Sequence, residues 1–302
     1  MFWLLVRDLK SVLKSLNFFR KDPYKTSSLT KKKLAPFRNK GLNLLSGNQN
    51  KALVFFFIAA LFSVKANANT PVASEVKTDS QAMSHSSDPL DPVSIEFKIR
   101  ISKFGNAVLG KVQSRLDVTD TGYSIQSVTK AQGMALLLMQ SNIQESCEFE
   151  IVDGRAVARN YNGGTVEKTE YSVGYDWQQR KVSLNESESL DMPQGYVVDN
   201  CIMWFATALL KGELPEEERL YIVDGKSKRI RGYRLRSQSE EVIDTSLGQR
   251  ETIKMVLERE LRPDRTLTFW LSKNDQFLPV RIEESRKSRT TTFEISDLSK
   301  AS

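Results

Sequence analysis

One histidine, His85, and two cysteines, Cys147 and Cys201, are the only imidazole and thiol groups in 302 residues. A Ser-His-Asp triad needs an imidazole beside a serine, a Cys-His pair needs one beside a thiolate, and His-based zinc or iron sites need several. His85 stands in a Ser- and Asp-rich run without hydrophobic pattern and reads as a solvated linker residue. Cys147 and Cys201 lie 54 residues apart, far from the CxxC spacing of a redox-active pair. Two readings of them stand. They form a disulfide, stabilising by about 3–4 kcal/mol through loop closure in the unfolded chain, or they are two buried free thiols.

The carboxylates offer no better start. Glu283-Glu284 and Glu216–Glu218 are neighbours in sequence on exposed elements, not a pair facing one cleft with separated pKa values. Asn162-Gly163-Gly164 is expected to be a hairpin turn and not a phosphate cradle. The basic run Lys226, Lys228, Arg229, Arg231, Arg234, Arg236 is spaced around Ile230, Tyr233 and Leu235. That spacing suits the wet face of a strand, with Glu216–Glu218, Glu240 and Glu241 as neutralising neighbours, better than it suits an anionic-headgroup or polyanion site. Trp177, Trp204, Phe269 and Trp270 read as packing residues. No catalytic, cofactor or metal site is assigned, and the chain is not expected to be an enzyme.

The elements that would position these residues follow from hydrophobic period. Val93, Ile95, Phe97, Ile99 and Ile101 alternate with polar residues, the mark of a half-buried strand. Alternation returns in Ile253, Met255, Leu257 and in Leu267, Phe269, Leu271. Turn dipeptides at Gly105-Asn106, Thr121-Gly122, Asp153-Gly154, Asp224-Gly225, Leu247-Gly248 and Asn274-Asp275 punctuate about a dozen predicted strands paired as hairpins. No βαβ alternation appears. Residues 133–140 read as a short buried strand or a helical turn. Residues 200–211 predict a helix, with Asp199 or Asn200 as cap, Gly212 closing it and Pro215 preventing resumption. Ile202, Phe205, Ala206 and Leu209 make one apolar face, and Met203, Trp204, Ala208 and Leu210 carry it around most of the circumference. A helix so apolar must be covered on nearly all sides. The expected fold is therefore mainly β: one strongly curved antiparallel sheet, an open half-barrel, wrapping a buried helix. A β-sandwich is the alternative. In the half-barrel, Ile202, Trp204, Phe205 and Leu209 are the plug or concave-face residues, and Cys147 and Cys201 join plug to sheet if they are bonded.

Charge and hydropathy divide the chain before that domain. Residues 1–68 hold 13 Lys/Arg against Asp8 and Asp22, whereas the remaining 234 residues hold 31 basic and 35 acidic groups. The body of the chain therefore makes no electrostatic case for nucleic acid. Residues 52–64 are an uncharged apolar run with Lys51 before and Ala66-Asn67-Ala68 after, the order of a secretory signal peptide. A helix of that length spans about 20 Å, short of the roughly 30 Å bilayer core. Cleavage after Ala68 and a periplasmic location are expected, with an inner-membrane anchor through 52–64 as the alternative. Residues 1–51 form a basic leader. Either translation starts nearer the apolar run, the favoured reading, or the leader is a basic amphipathic segment suited to a membrane surface. Residues 69–92, rich in Ser, Thr, Asp and Pro, read as a flexible tether, and 93–298 as the sheet domain.

An ordered set of motifs adds a resemblance. Tyr175-Asp176-Trp177, Lys181-Val182, Val198-Asp199 leading into the helix, Glu240–Gly248 ending at a tight turn, Thr268-Phe269-Trp270-Leu271 and Leu278-Pro279-Val280-Arg281-Ile282 together resemble the domain of unknown function 3108 family, exported proteins of Gram-negative bacteria. The resemblance spans roughly 93–298. It implies an envelope domain with no assigned activity and supplies no catalytic residues. Two roles are expected from different classes: a non-enzymatic module holding a hydrophobic ligand or lipidated partner in the concave sheet, or a structural or adaptor protein of the envelope. Lipid, a lipoprotein or another envelope protein are the partners these roles would take.

Overall fold

The computed structural model describes residues 90–105, 107–137 and 141–301. The leader, the apolar run and all of the tether before residue 90 lie outside the described residues.

Alternation sets the first strand. Along β1 (Val93–Ile101) every second residue is buried, from Val93 through Phe97 to Ile101. Hairpins continue it through β2 (Val108–Thr119), β3 (Gly122–Ala131), β4 (Ile143–Val152), β5 (Arg155–Thr165), β6 (Thr169–Asp176), β7 (Lys181–Leu184) and β8 (Glu188–Asp191). A short strand, β9 (Tyr196–Asp199), leads into the helix α1 (Met203–Leu209). A second meander follows: β10 (Arg219–Asp224), β11 (Arg229–Thr245), β12 (Gly248–Arg259), β13 (Arg265–Ser272), β14 (Pro279–Arg286) and β15 (Arg289–Lys300). The last strand pairs with the first, Phe97 opposite Ile295, so the two meanders fuse into one sheet. Its order is β8-β7-β6-β5-β4-β3-β2-β1-β15-β14-β13-β12-β11-β10-β9. All pairs are antiparallel except β9 with β10.

The sheet is open, and it curls until its ends overlap. All four residues of edge strand β9 are buried. It packs against β5, where the Ala156 N–H donates to the Tyr196 hydroxyl at 3.0 Å. β5 lies inside the other edge, so β6–β8 overlap the β9–β10 end without a backbone ladder between them. Side chains make the seal: Arg155 with Glu218, Lys226 with Glu170, Lys228 with Glu188. The β10–β11 turn comes so close that a Cβ on Gly225 would lie 2.7 Å from both Tyr171 and Val173.

The alternating strand directions create two rims. Loops after β1, β3, β5, β10, β12 and β14 gather at what we call the upper rim. Those after β2, β4, β11 and β13, with the segment from α1 to β10, form the lower rim.

Inside, α1 fills the hollow. Met203 through Ala208 are buried, and the Trp204 ring meets Phe97 edge-on at 4.7 Å and Phe293 at 5.9 Å. The helix is shorter than the predicted 200–211. Its first residues form instead a turn in which the Asp199 carboxylate accepts the N–H groups of Cys201 (2.8 Å) and Ile202 (3.0 Å). Positive φ at Lys211 and Gly212 turns the chain away at the other end. Among the described residues no helix is long and apolar enough to cross a membrane.

Two expectations about local structure fail for identifiable reasons, and the choice left open at 133–140 is decided for the helical turn. Asn162-Gly163-Gly164 is no turn but the end of β5, with Gly163 opposite Tyr171. A Cβ at Gly163 would collide with the Tyr171 ring, so the glycine serves close packing across the pair. Residues 133–137 form a 3-10 turn in which only Ala135 is buried, so this apolar stretch is largely on the surface. The strand Leu267–Leu271 is covered on both faces and not on one. On the outer face Lys254 and Arg281 place cations 5.0 and 5.7 Å from the Trp270 ring, and Trp270 Nε1 donates to Glu241.

Candidate functional site

Two fastenings hold α1 to the sheet. Ile143, Glu145, Cys147 and Phe149 share the inner face of β4, and Cys201 lies in the turn before the helix. Cys147 and Cys201 are joined in a disulfide with their Cα atoms 6.2 Å apart. Closing a loop of this length stabilises by about 4 kcal/mol in the chain-entropy account. The second fastening is Asp199, wholly buried, whose carboxylate also accepts from the Tyr175 hydroxyl at 3.0 Å. Burial pushes this carboxyl up to about 6, against the opposing pull of the Ile202 N–H, Tyr175 and the Cys201 N–H. Burial and the neighbouring Asp199 in turn push the Tyr175 hydroxyl up.

A second buried acid sits nearby. Glu145 accepts from the hydroxyls of Tyr161 and of Tyr171 (2.9 Å), and those two hydroxyls are 2.9 Å apart. Burial first, then the Glu145 charge, push both tyrosines up. They stay neutral donors, as a buried carboxylate requires. Sequence reading passed over Glu145. A signal was present: it is in phase with Ile143, Cys147 and Phe149, which puts it on the inner face.

One cluster among the described residues has the proximity of a metal site. Cys147, Asp199 and Cys201 place their donor atoms within 4.8 Å of one another. The two sulfurs are bonded to each other and Asp199 is occupied by two N–H groups and a hydroxyl, so these donors are already engaged.

The basic run keeps the expected wet strand face except at Arg231, but its partners are not the expected ones. Arg231 is buried and pairs with Asp224, where burial raises the carboxyl but Arg231 and Ser227 outweigh it and leave it below the usual range. Lys226 and Lys228 bridge to β6 and β8, and Arg234 and Arg236 reach Glu258. The partners are thus across the sheet, not the flanking glutamates of the sequence.

The plug residues separate into two groups. Ile202, Trp204 and Phe205 are buried in the core, where they fill the concave face. Leu209 is only half buried and lines a cleft at the lower rim with Leu210, Leu214, Arg155 and Gln238. The cleft holds about 680 Å³, within the ~300–1,000 Å³ of small-molecule sites. Its floor is the leucines, and Arg155, held by Glu218, stands at its wall over the Tyr196 ring.

The family described as "Protein of unknown function (DUF3108)" matches residues 96–294. A search of curated proteins returns no match. Among solved structures, a beta-barrel-like protein of domain of unknown function DUF1849 from Brucella abortus is 11% identical with a TM-score of 0.46, covering 70% of this chain and 98% of that one.

Proposed function

We propose that this chain, which belongs to the DUF3108 family, is a non-enzymatic envelope protein that binds the apolar chain of a lipid or lipidated partner in the lower-rim cleft. The observation that carries the reading is the 680 Å³ cleft with a leucine floor, left where α1 ends inside the curled sheet. The hollow itself is occupied by Trp204, Phe205 and their neighbours, so the ligand site moves from the concave face to its mouth. Export is supported by the apolar run 52–64 with its Ala66-Asn67-Ala68 site, and a disulfide suits an oxidising compartment. An adaptor role through strand edges has less support. Edge strand β8 is four residues long and carries Glu188 and Asp191, and β9 is covered by β5.

Gln238 is exposed on the cleft wall, so Gln238→Trp fills the space without touching the core. With a fluorescent fatty acid as probe, the full chain is expected to bind and Gln238→Trp to bind at least about tenfold more weakly. Equal binding by both, or none by the parent with no lipid retained in native mass spectrometry, would overturn the proposal.

A further inference from the structure

The opposite rim carries a different chemistry, independent of the cleft. Three β-hairpins far apart in sequence bring Lys103, Arg262, Arg265, Arg286, Lys287 and Arg289 around one cavity of about 450 Å³, with Asp264 as the acidic group on its wall. Arg259 stands close behind. Glu284, beneath the cluster, is pushed by burial up to about 7 despite Arg286 and Arg289, so its charge only partly offsets theirs near neutral pH. Burial and the mutual repulsion of these guanidiniums hold Arg259, Arg286 and Arg289 below the usual arginine range. Phe104 and Ile101 supply the apolar wall.

Apolar side chains flank this cavity on both sides. Ile101 and Phe104 continue into a small cluster with Ala135, in the 3-10 turn whose Met134, Leu136 and Leu137 are 65%, 62% and 86% exposed. On the other side Leu261, at the tip of the β12–β13 turn, is 97% exposed, and Val166 adds a further tip. Of eight large apolar side chains exposed among the described residues, these are five, all on the upper rim. Exposed leucines beside clustered arginines cost solubility unless something covers both.

We infer that the upper rim docks on a bilayer containing anionic phospholipid, with a lipid phosphate in the arginine cavity and Leu136, Leu137 and Leu261 entering the headgroup boundary. Guanidinium forks match phosphate oxygens bidentately. Apolar tips carried on separate loops beside basic side chains suit a deformable lipid interface better than a flat protein surface. Each basic residue near an anionic surface adds to the attraction.

The test reads the rim locally, so that residues 1–68 cannot supply the signal. Leu261→Cys in the full chain accepts an environment-sensitive dye, since both native cysteines are in a disulfide. Val118→Cys labels the lower rim as control. With phosphatidylcholine vesicles containing equimolar phosphatidylglycerol, the Leu261 dye is expected to shift to the blue and the Val118 dye to stay in water. Adding Arg262→Glu and Lys287→Glu should weaken the shift about tenfold or more. An unmoved Leu261 dye on a protein that floats with vesicles overturns the inference. So does an equal shift on pure phosphatidylcholine, and so does protection by inorganic phosphate without any vesicle response, which would mark a soluble-anion site. A shift produced only by another protein would replace the membrane with a protein partner.

Discussion

The inside of the curled sheet has two halves built on opposite terms. Toward β1 and β13–β15 the plug meets the rings of Phe97 and Phe293 edge-on, in a core that also buries Phe269 and Ile295. Toward β4–β6 the same plug faces Glu145, Tyr161, Tyr171 and Tyr175, with its own Asp199 and a disulfide added. In the first half stability comes from area removed from water and shape fit. In the second, each buried polar group must be matched, and the position of α1 is fixed by direction as well as by contact. The difference teaches that the plug is packed on one side and latched on the other.

The largest expected effect lies on the packed side. Phe97 is fully buried and holds Trp204 edge-on, so Phe97→Ala leaves a cavity against α1. It should cost about 3–5 kcal/mol of unfolding free energy, read from the urea midpoint. A cost near 1 kcal/mol would mean that the latches alone place the plug.

Asp199 sharpens the comparison through pH. Its carboxyl titrates at about 6 in the fold against roughly 3.9 in the unfolded chain. Between those values the fold binds the extra proton, so this contribution is fully present below about pH 4 and is lost as pH rises through 6. In Asp199→Asn the amide oxygen still accepts from Cys201 and Ile202, and its NH₂ donates to the Tyr175 oxygen. The variant's stability relative to the parent should therefore rise by about 2 kcal/mol between pH 4 and pH 7. Glu284, raised to about 7, gives a slope of the same sign in both proteins and drops out of the difference. Parallel stability–pH curves would sink the claim.

Legibility in the sequence follows the same division. The packed half was readable because period-two alternation in 93–101 and the all-round apolar 200–211 are direct records of burial. Single-sheet curvature followed, since such a helix needs covering on every side. The latched half was readable only in part. Cys147 and Cys201 announced themselves by type, whereas Glu145 looks like any strand glutamate unless its phase is followed, and Asp199 looks like a helix cap although it is also buried. The overlap of β6–β8 on β9–β10 was not legible, because the side chains that seal it, such as Glu170, Glu188 and Lys226, resemble an ordinary wet surface. The upper-rim arginines were missed for a related reason: they are scattered from Lys103 to Arg289, and only the hairpin topology brings them together.

The smallest effect is the most discriminating. Tyr161→Phe keeps the ring, its edge contact with Tyr171 and the core volume, and removes one hydroxyl. Glu145 retains the Tyr171 donor at 2.9 Å, so the carboxylate is not stranded. The expected loss is about 1.5 kcal/mol in urea unfolding, the low end of the range for one hydrogen bond to a charged group, because a second donor remains. A neutral result would show that the tyrosine pair is held by packing, which would make the two halves alike. A loss above about 3 kcal/mol would show that Glu145 depends on both donors together, and the latch would then be a single cooperative unit with Asp199 and the disulfide.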